Sequence, residues 1–580
     1  MKKKTMRIVS MLACLMVIAT SGVACGGRRE DGTNGDEQLN KPVDVNKTQF
    51  AIANANGGWG AQWLRKIADN FEEFYKDTIF EDGKVGVQVS IDNKAVGEVM
   101  GNSALSKMQG SRDAIFFTEG ADYFEYANSG KILDITELIS EPLTEYGDDE
   151  SILEKLDGYL VENLKTANNK YYMLPYYNNT SGISYDVKLF EDNCLYFKKG
   201  ATTDGMNVFS DDADLESLFI LDKDDEKSVG PDNVPNTIDD GLPVTYSDFF
   251  ALCRYMKEVY FITPVVFTGV WIDYLQNFTS ALWANEVGYE GALRTYKLEG
   301  TANDLINVSN DGTVTAYAST PINETNGYLL QKEKARYEML KFIYDFVAHT
   351  DIYDAQSYGS ALSHTGAQDR FLYSSSASYD TIGMIIEGNW WWNEARGTFD
   401  SMAKSMTADM SRENRDMAMM PPLRSTRPTG TEVSKFTVVD SASAYCMINA
   451  TVSDLQIDIA KKFFRFMHTN ESLQVFAREA GGRRGLKVDF TEEEYNSLPY
   501  YAKSVANLYQ NADILYEVSN TNKVANNLKV FEANTWACSS IVAGDTYANP
   551  FVAFKYYDVN AIQYFNGMKT YQENLWSTLK

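Results

Sequence analysis

Hydrophobic positions along this 580-residue chain change their period in a regular order. From 48 to 56, TQFAIANAN is a short apolar-rich run that predicts a strand, and Gly57-Gly58-Trp59-Gly60 behind it predicts a turn. In the next stretch, AQWLRKIADNFEEFYKD, the residues Trp63, Leu64, Ile67, Ala68, Phe71, Phe74 and Tyr75 recur at three- and four-residue spacing. That is one face of a helix. KVGVQVSID then alternates, with Val85, Val87, Val89 and Ile91 on one side, as a half-buried strand does. RDAIFFTEG at 112–120 reads as another apolar strand, and ADYFEYANSG leads into ILDITELI. Strands alternate with helices, which is α/β wiring. In open α/β sheets the ligand crevice lies beyond the carboxyl ends of the strands. Gly57-Gly58-Trp59 and Thr118-Glu119-Gly120 both sit at such ends, and the two glycines place Trp59 at an exposed tip.

A different pattern opens the chain. Lys2, Lys3, Lys4 and Arg7 precede the apolar run IVSMLACLMVIAT and the small-residue stretch SGVACGG, the layout of a secretory signal over 1–24. Its cleavage removes four positive charges and no negative ones, taking the net charge from −27 to −31. Residues 25–46 are polar and nearly free of large apolar side chains, which reads as a flexible tether. No second apolar segment of membrane-spanning length follows.

Composition narrows the function. A chain with 44% hydrophobic residues can bury substantial cores, and its length favours at least two domains. A net charge of −27 argues against nucleic-acid binding, which needs clustered Lys and Arg. Cys194, Cys253, Cys446 and Cys538 are widely separated with no CxxC, so they read as small buried apolar residues. Only three histidines exist, and none is paired at i+4, so a histidine zinc site or a serine–histidine triad has little support. His349 and His468 each close an apolar helical run, where the helix dipole favours partial positive charge. Residues 221–243 read as an acidic solvated loop, in which Asp232, Asn236, Asp239 and Asp240 are candidate ligands for a structural calcium ion. No other cofactor is expected.

At 384–395 the chain reads MIIEGNWWWNEA. If this stretch is extended, period two puts Trp390 and Trp392 on one side and Trp391 on the other.

The strand-GGWG-helix start, the DAIFF strand, GKILDITELI, YYMLPYYNNTSGISYDVKLF at 171–190, GMIIEGNWWW and IAKKFFRFMHT at 459–469 occur in a telling order. That order resembles extracellular solute-binding proteins of the sugar-binding family that includes maltose-binding protein, over about 46–580. Cys25 in SGVACGG resembles the lipidated cysteine of a bacterial lipoprotein, with Gly22 where leucine is usual. The resemblance implies an α/β, two-lobed periplasmic-binding-protein-like fold of type II, with crossing hinge strands near 175–182 and 436–442 and a third crossing near 500–512. Lobe one would hold 46–176 and 440–505, and lobe two 180–436 and 508–580. A sugar would lie in the inter-lobe cleft.

A sugar presents hydroxyls and apolar C–H faces, so its binder needs flat aromatic platforms edged by carboxylates and amides. By motif, Trp390 matches the tryptophan that stacks on the sugar in this family, and Trp392 matches its neighbour two residues on. Trp59 and Glu119 occupy first-lobe loop positions, Tyr177 and Asn178 flank the first crossing, and Trp271, Asp273 and Asn389 fall where the second lobe contributes. Arg483-Arg484 reads as a surface or inter-lobe pair. The implied role is the substrate-binding component of an ABC importer, not an enzyme. It would be exported, lipid-anchored at the outer membrane face and monomeric, capturing an oligosaccharide for a membrane permease. The rivals are a secreted glycoside hydrolase using acids such as Glu387, Glu394 or Glu119, and a glycan- or peptide-binding surface lipoprotein without transport duty.

Overall fold

The computed structural model describes residues 39–95, 98–272, 274–374, 380–429, 433–440, 442–520 and 537–578. Cys25, the leader, most of the tether and Asp273 lie outside the described residues. The strands used below are β1 (Thr48–Asn56), β2 (Val87–Ala95), β3 (Asp113–Thr118), β4 (Leu174–Pro175), β5 (Ser181–Asp186), β6 (Thr263–Val266), β7 (Ile382–Gly388), β8 (Met417–Met419), β9 (Phe436–Asp440), β10 (Tyr445–Ile448) and β11 (Ala512–Tyr516). The helices are α1 (Gln62–Phe74), α2 (Tyr274–Lys297, broken at Gly288), α3 (His364–Tyr373), α4 (Trp391–Glu394), α5 (Asp454–Phe466), α6 (Asn470–Ala480) and α7 (Tyr500–Gln510).

The chain forms two compact units. The first takes residues up to Glu154, Lys170–Tyr177 and Ser443–Val475; the second takes Lys155–Asn169, Asn178–Ala442 and Phe476–Lys580.

In the first unit a five-stranded sheet runs in the order β2-β1-β3-β10-β4. β1 pairs in parallel with β2 and β3, while β10 is antiparallel to β3 and β4. All six residues of β3 are buried, as expected of a strand with both faces covered. The helical spacing read in the sequence holds as far as Phe71: Trp63, Leu64, Ile67, Ala68 and Phe71 are buried on α1, whereas Phe74 in its last turn is exposed and Tyr75 lies beyond its end. Phe71 meets Phe463 of α5 at 5.1 Å, and Phe50 of β1 meets the same ring at 5.8 Å. Val85 is exposed instead of joining Val87, Val89 and Ile91, because Gly86 at φ +80° turns the chain just before β2. His468 ends its helical run buried, its Nδ1 2.6 Å from the Phe464 carbonyl.

The second unit holds a mixed sheet in the order β8-β5-β7-β6, where β7 is parallel to β6 and antiparallel to β5. A separate pair, β9 and β11, is parallel. One apolar core joins Val266, Phe371, Ile385, Trp391, Trp392, Phe399, Met419, Phe436, Tyr501, Val505 and Leu508. That core explains a departure from the sequence reading. Residues 500–512 are not a crossing strand: α7 fills most of this stretch, and its apolar face belongs to the second unit. The chain leaves the first unit within α6, after Val475.

Residues 155–169 also join the second unit, drawn there by a buried polar hub. Arg483 donates to Asp157 Oδ2 at 2.7 Å and to Asn178 Oδ1 at 2.9 Å. Asn178 Nδ2 donates to Tyr516 at 2.9 Å and to Asp440 at 3.2 Å. Burial raises Asp440 to about 6. Arg484 is fully buried, so the Arg483-Arg484 pair is interior, not a surface pair. Breaking one partner of a buried ion pair strands a charge in a poorly solvating environment. Asp157→Ala is therefore expected to destabilise the second unit by about 3–5 kcal/mol in urea unfolding; a loss under about 1 kcal/mol would show the pair to be solvated.

Candidate functional site

The sequence-predicted aromatic and acidic residues leave the carboxyl ends of strands, as the α/β rule requires. In the first unit β1 leads to Trp59 and β3 to Glu119. These come together with Tyr176 and Tyr177. The Trp59 and Tyr177 rings lie 5.2 Å apart, Tyr177 meets Tyr176 edge-on at 4.6 Å, and the Tyr176 hydroxyl is 3.4 Å from Glu119 Oε1. Trp59 is 3% exposed and not the projecting tip that its two glycines suggested. Stacking on Tyr177 draws the ring inward, since an indole buries more apolar area against a second ring than in water.

In the second unit β7 ends at Gly388, and α4 begins at Trp391 without an extended residue between them. This overturns the period-two reading. Residues in a helical turn are rotated by about 100° each, so Trp390 and Trp392 do not share a side. Trp390 is half-buried, whereas Trp391 and Trp392 are both fully buried. Trp391 Nε1 donates to Ser184 Oγ at 2.9 Å, anchoring β5. Trp392 stacks on Tyr501 at 5.5 Å and 13°, with the Arg412 guanidinium 4.1 Å from its ring centroid. It is a core residue of its own unit. Asn389 and Asn178 are likewise structural: Asn389 Nδ2 donates to the Asn178 carbonyl at 3.2 Å, and both side chains are buried.

What surrounds Trp390 is assembled from three distant stretches. Its ring lies against Gly388, where a Cβ would come within 1.9 Å of Cζ3. Tyr274, the first residue of α2, meets it edge-on at 5.9 Å, and Tyr274 also meets His364 of α3 at 5.7 Å. His364 Nε2 is 3.5 Å from Glu394 Oε1, and Gln368 Nε2 donates to Glu394 Oε2 at 2.7 Å. Glu387, the penultimate residue of β7, is 2% exposed. Burial first and the neighbouring Glu394 second push its carboxyl up to about 8, against the Gly388 N–H, His364 and Gln368. Trp271 follows β6 in a half-buried turn, its carbonyl accepting the Tyr274 N–H at 2.9 Å. An aromatic face edged by a carboxylate, an amide and an imidazole is what a hydroxyl-bearing ring needs. The sequence reading named Trp390 and Trp271 as ligand-binding candidates and did not name their neighbours Tyr274, His364 and Gln368 as such. Tyr274 adjoins Asp273, and that WIDY stretch was the one available signal.

The acidic loop departs from its solvated reading too. Asp232 and Asp239 are buried, and burial raises Asp239 to about 7. Their oxygens accept loop donors: the Asp232 N–H at 2.9 Å and Thr237 Oγ1 at 2.7 Å on Asp239, and the Val234 N–H at 2.8 Å on Asp232. Asp240 accepts the Asn236 N–H at 2.8 Å. Among the described residues no group of three or more His, Cys, Asp or Glu side chains could hold a metal ion.

Gly388 is the residue that lets Trp390 lie where it does. Gly388→Ala is expected to displace the ring, costing about 1–3 kcal/mol of stability by thermal melting and altering the near-ultraviolet circular dichroism. An unchanged spectrum and melting point would show that the ring is not held by this contact.

No protein-family model matches the chain, and no curated protein matches it in sequence. Solved structures do. One is a binding protein of an ABC transporter from Bifidobacterium animalis subsp. lactis in complex with mannobiose, at TM-score 0.52 and 13% identity, covering 92% of this chain and 95% of that one. Another is a manno-oligosaccharide-specific solute-binding protein from the same organism in complex with mannotriose, at TM-score 0.51 and 11% identity with the same coverage. Among the described residues no helix is long and apolar enough to cross a membrane. The chain shares its α/β fold with these two sugar-binding proteins.

Proposed function

We propose that the chain is the substrate-binding component of an ABC importer and captures an oligosaccharide in an inter-lobe cleft. The observation that carries this reading is Trp390: half-exposed at the carboxyl end of β7, with Tyr274 edge-on and Glu394, Gln368 and His364 beside it. Trp390 is the stacking platform, and Glu394 accepts hydrogen bonds from ligand hydroxyls. In the first unit the half-buried Glu119, beside the buried Trp59–Tyr177 pair, supplies the second set of contacts. Two units binding one ligand favour whichever conformation lets both engage, so the sugar selects a closed form. The ligands bound in the similar structures, mannobiose and mannotriose, support a short oligosaccharide as the class to test first.

In this reading Cys25 carries the lipid that keeps the protein at the outer membrane face, and the closed form docks on transmembrane permease subunits. The signal-like start and the polar tether support it. Binding is the output; hydrolysis is not part of the role.

The test is calorimetric titration and thermal melting of residues 39–580 against mannobiose, mannotriose and a panel of other oligosaccharides. Ligand at a hundredfold over its dissociation constant is expected to stabilise the protein by about 2.7 kcal/mol. Trp390→Ala is expected to abolish most of that binding while unfolding stays cooperative. Full affinity in the variant would remove Trp390 from the site, and release of reducing sugar by the wild type would make the protein a hydrolase.

A further inference from the structure

The loop at 230–241 holds more buried acceptors than its own donors satisfy. A Cβ at Gly230 would collide with the Asp239 carbonyl, so the loop closes on itself and brings its first residues against its last. Asp232 and Asp239 are 0% and 1% exposed, and among the described residues neither has an ion-pair partner. The neighbouring cations are engaged elsewhere: the Lys227 ammonium lies 3.5 Å from the Tyr196 ring centroid, and Arg424 donates to Ser434 Oγ at 3.0 Å. Two carboxylates taken out of water without a countercharge are costly.

The oxygens of the loop converge. Asp239 Oδ2 accepts the Asp232 N–H at 2.9 Å, and a carboxylate reaches at most about 5 Å from its own amide nitrogen, so the two carboxylates are neighbours. Thr237 Oγ1 lies 2.7 Å from Asp239 Oδ1, 3.1 Å from the Val234 carbonyl and 3.3 Å from Asp240 Oδ1. A hydroxyl has one proton to give, so it serves one of these three acceptors. Asp232 Oδ1 accepts the Val234 N–H at 2.8 Å, which ties it to the residue whose carbonyl joins that set. Its other oxygen, Oδ2, is shielded from solvent and has no hydrogen-bond partner.

We propose that this loop is a calcium site, in which Asp232 and Asp239 supply the charged ligands while the Val234 carbonyl and waters complete an oxygen shell. Two carboxylates fall short of the three or more acidic, imidazole or thiolate side chains of a closed zinc site. Calcium differs: it takes about six to eight oxygens and accepts main-chain carbonyls and waters among them, whereas magnesium demands a near-ideal octahedron. The ion is a clip within the second unit. Its loop meets the rest of that unit through the Ser434 N–H, donated to the Asp232 carbonyl at 2.8 Å, and the Phe197 N–H, donated to the Gly241 carbonyl at 2.8 Å. Nothing in this depends on what the Trp390 face binds.

The test takes the full chain, freed of metal with a chelator, and titrates it with calcium chloride by calorimetry while thermal melting is followed in parallel. One calcium per chain is expected, with a dissociation constant of about 10⁻⁴–10⁻³ M and a melting temperature that rises with calcium. Magnesium chloride is expected to bind at least about tenfold more weakly. Asp232→Asn and Asp239→Asn are each expected to weaken calcium binding at least about tenfold. Folding is separated from binding in chelator alone: there Asp232→Asn sets an amide donor where the bare oxygen was, and is expected to melt no lower than the wild type. Asp311→Asn, in an exposed turn elsewhere in the same unit, is expected to keep the full calcium response. Absence of heat and of a melting shift at about 10 mM calcium, ten times the weak end of that range, overturns the proposal. A calcium response that survives both loop substitutions, or one lost equally in Asp311→Asn, makes the loop a hydrogen-bonded turn only and overturns it as well.

Discussion

The second-unit site depends on one close approach: the Trp390 indole rests against the backbone of Gly388, in space that any side chain would occupy. β7 is buried along all seven residues and must hand the chain to α4 without exposing its last peptide groups. It does so through Asn389, whose N–H donates to Thr180 and whose carbonyl accepts from Tyr501. With β7 stopped there, the three tryptophans fall on a helical turn, where two of them rotate into the core and one stays at its edge. Trp391 and Trp392 hold α4 through Ser184, Tyr501 and Arg412, and so fix the direction in which Trp390 can point. A binding platform needs this support, because a ring free to swing loses affinity to conformational entropy.

Around this frame, buried acids are distributed in an uncommon way. Glu387, Asp239, Glu517 and Asp440 are raised to about 8, 7, 7 and 6, in each case with burial as the first cause. Where the chain needs rigidity it adds a cation, as Arg483 does for Asp157. Around Glu387, burial and the neighbouring Glu394 outweigh the opposing Gly388 N–H, His364 and Gln368.

Much of the fold was legible because the signals were local. The alternation of Val87, Val89 and Ile91, the helical spacing from Trp63 to Phe71 and the apolar run at 113–118 each needed only their own window, and strand ends pointed to Trp59 and Glu119, whereas Trp271 and Trp390 came from the family resemblance. What failed depended on partners far away. Nothing in GNWWWNE says whether the run is extended or helical, since three identical residues have no period. The burial of Trp59 depends on Tyr177, and the helical α7 could be mistaken for a crossing because its core lies in residues about a hundred positions earlier. Gln368 and His364 reach Glu394 from α3 across a gap that sequence spacing cannot express. The family resemblance supplied the order of segments, and the structure supplied which side chains meet.

The central proposal is that a carbohydrate engages the Trp390 face of the second unit and the Glu119 end of β3 in the first. Amide hydrogen-exchange mass spectrometry, with and without a saturating oligosaccharide identified by calorimetry, tests this most directly. Slower exchange is expected in peptides covering 384–395 and, in the same sample, in peptides covering 56–60 and 118–120. Protection confined to one unit, or lying outside both sets of peptides, would contradict it.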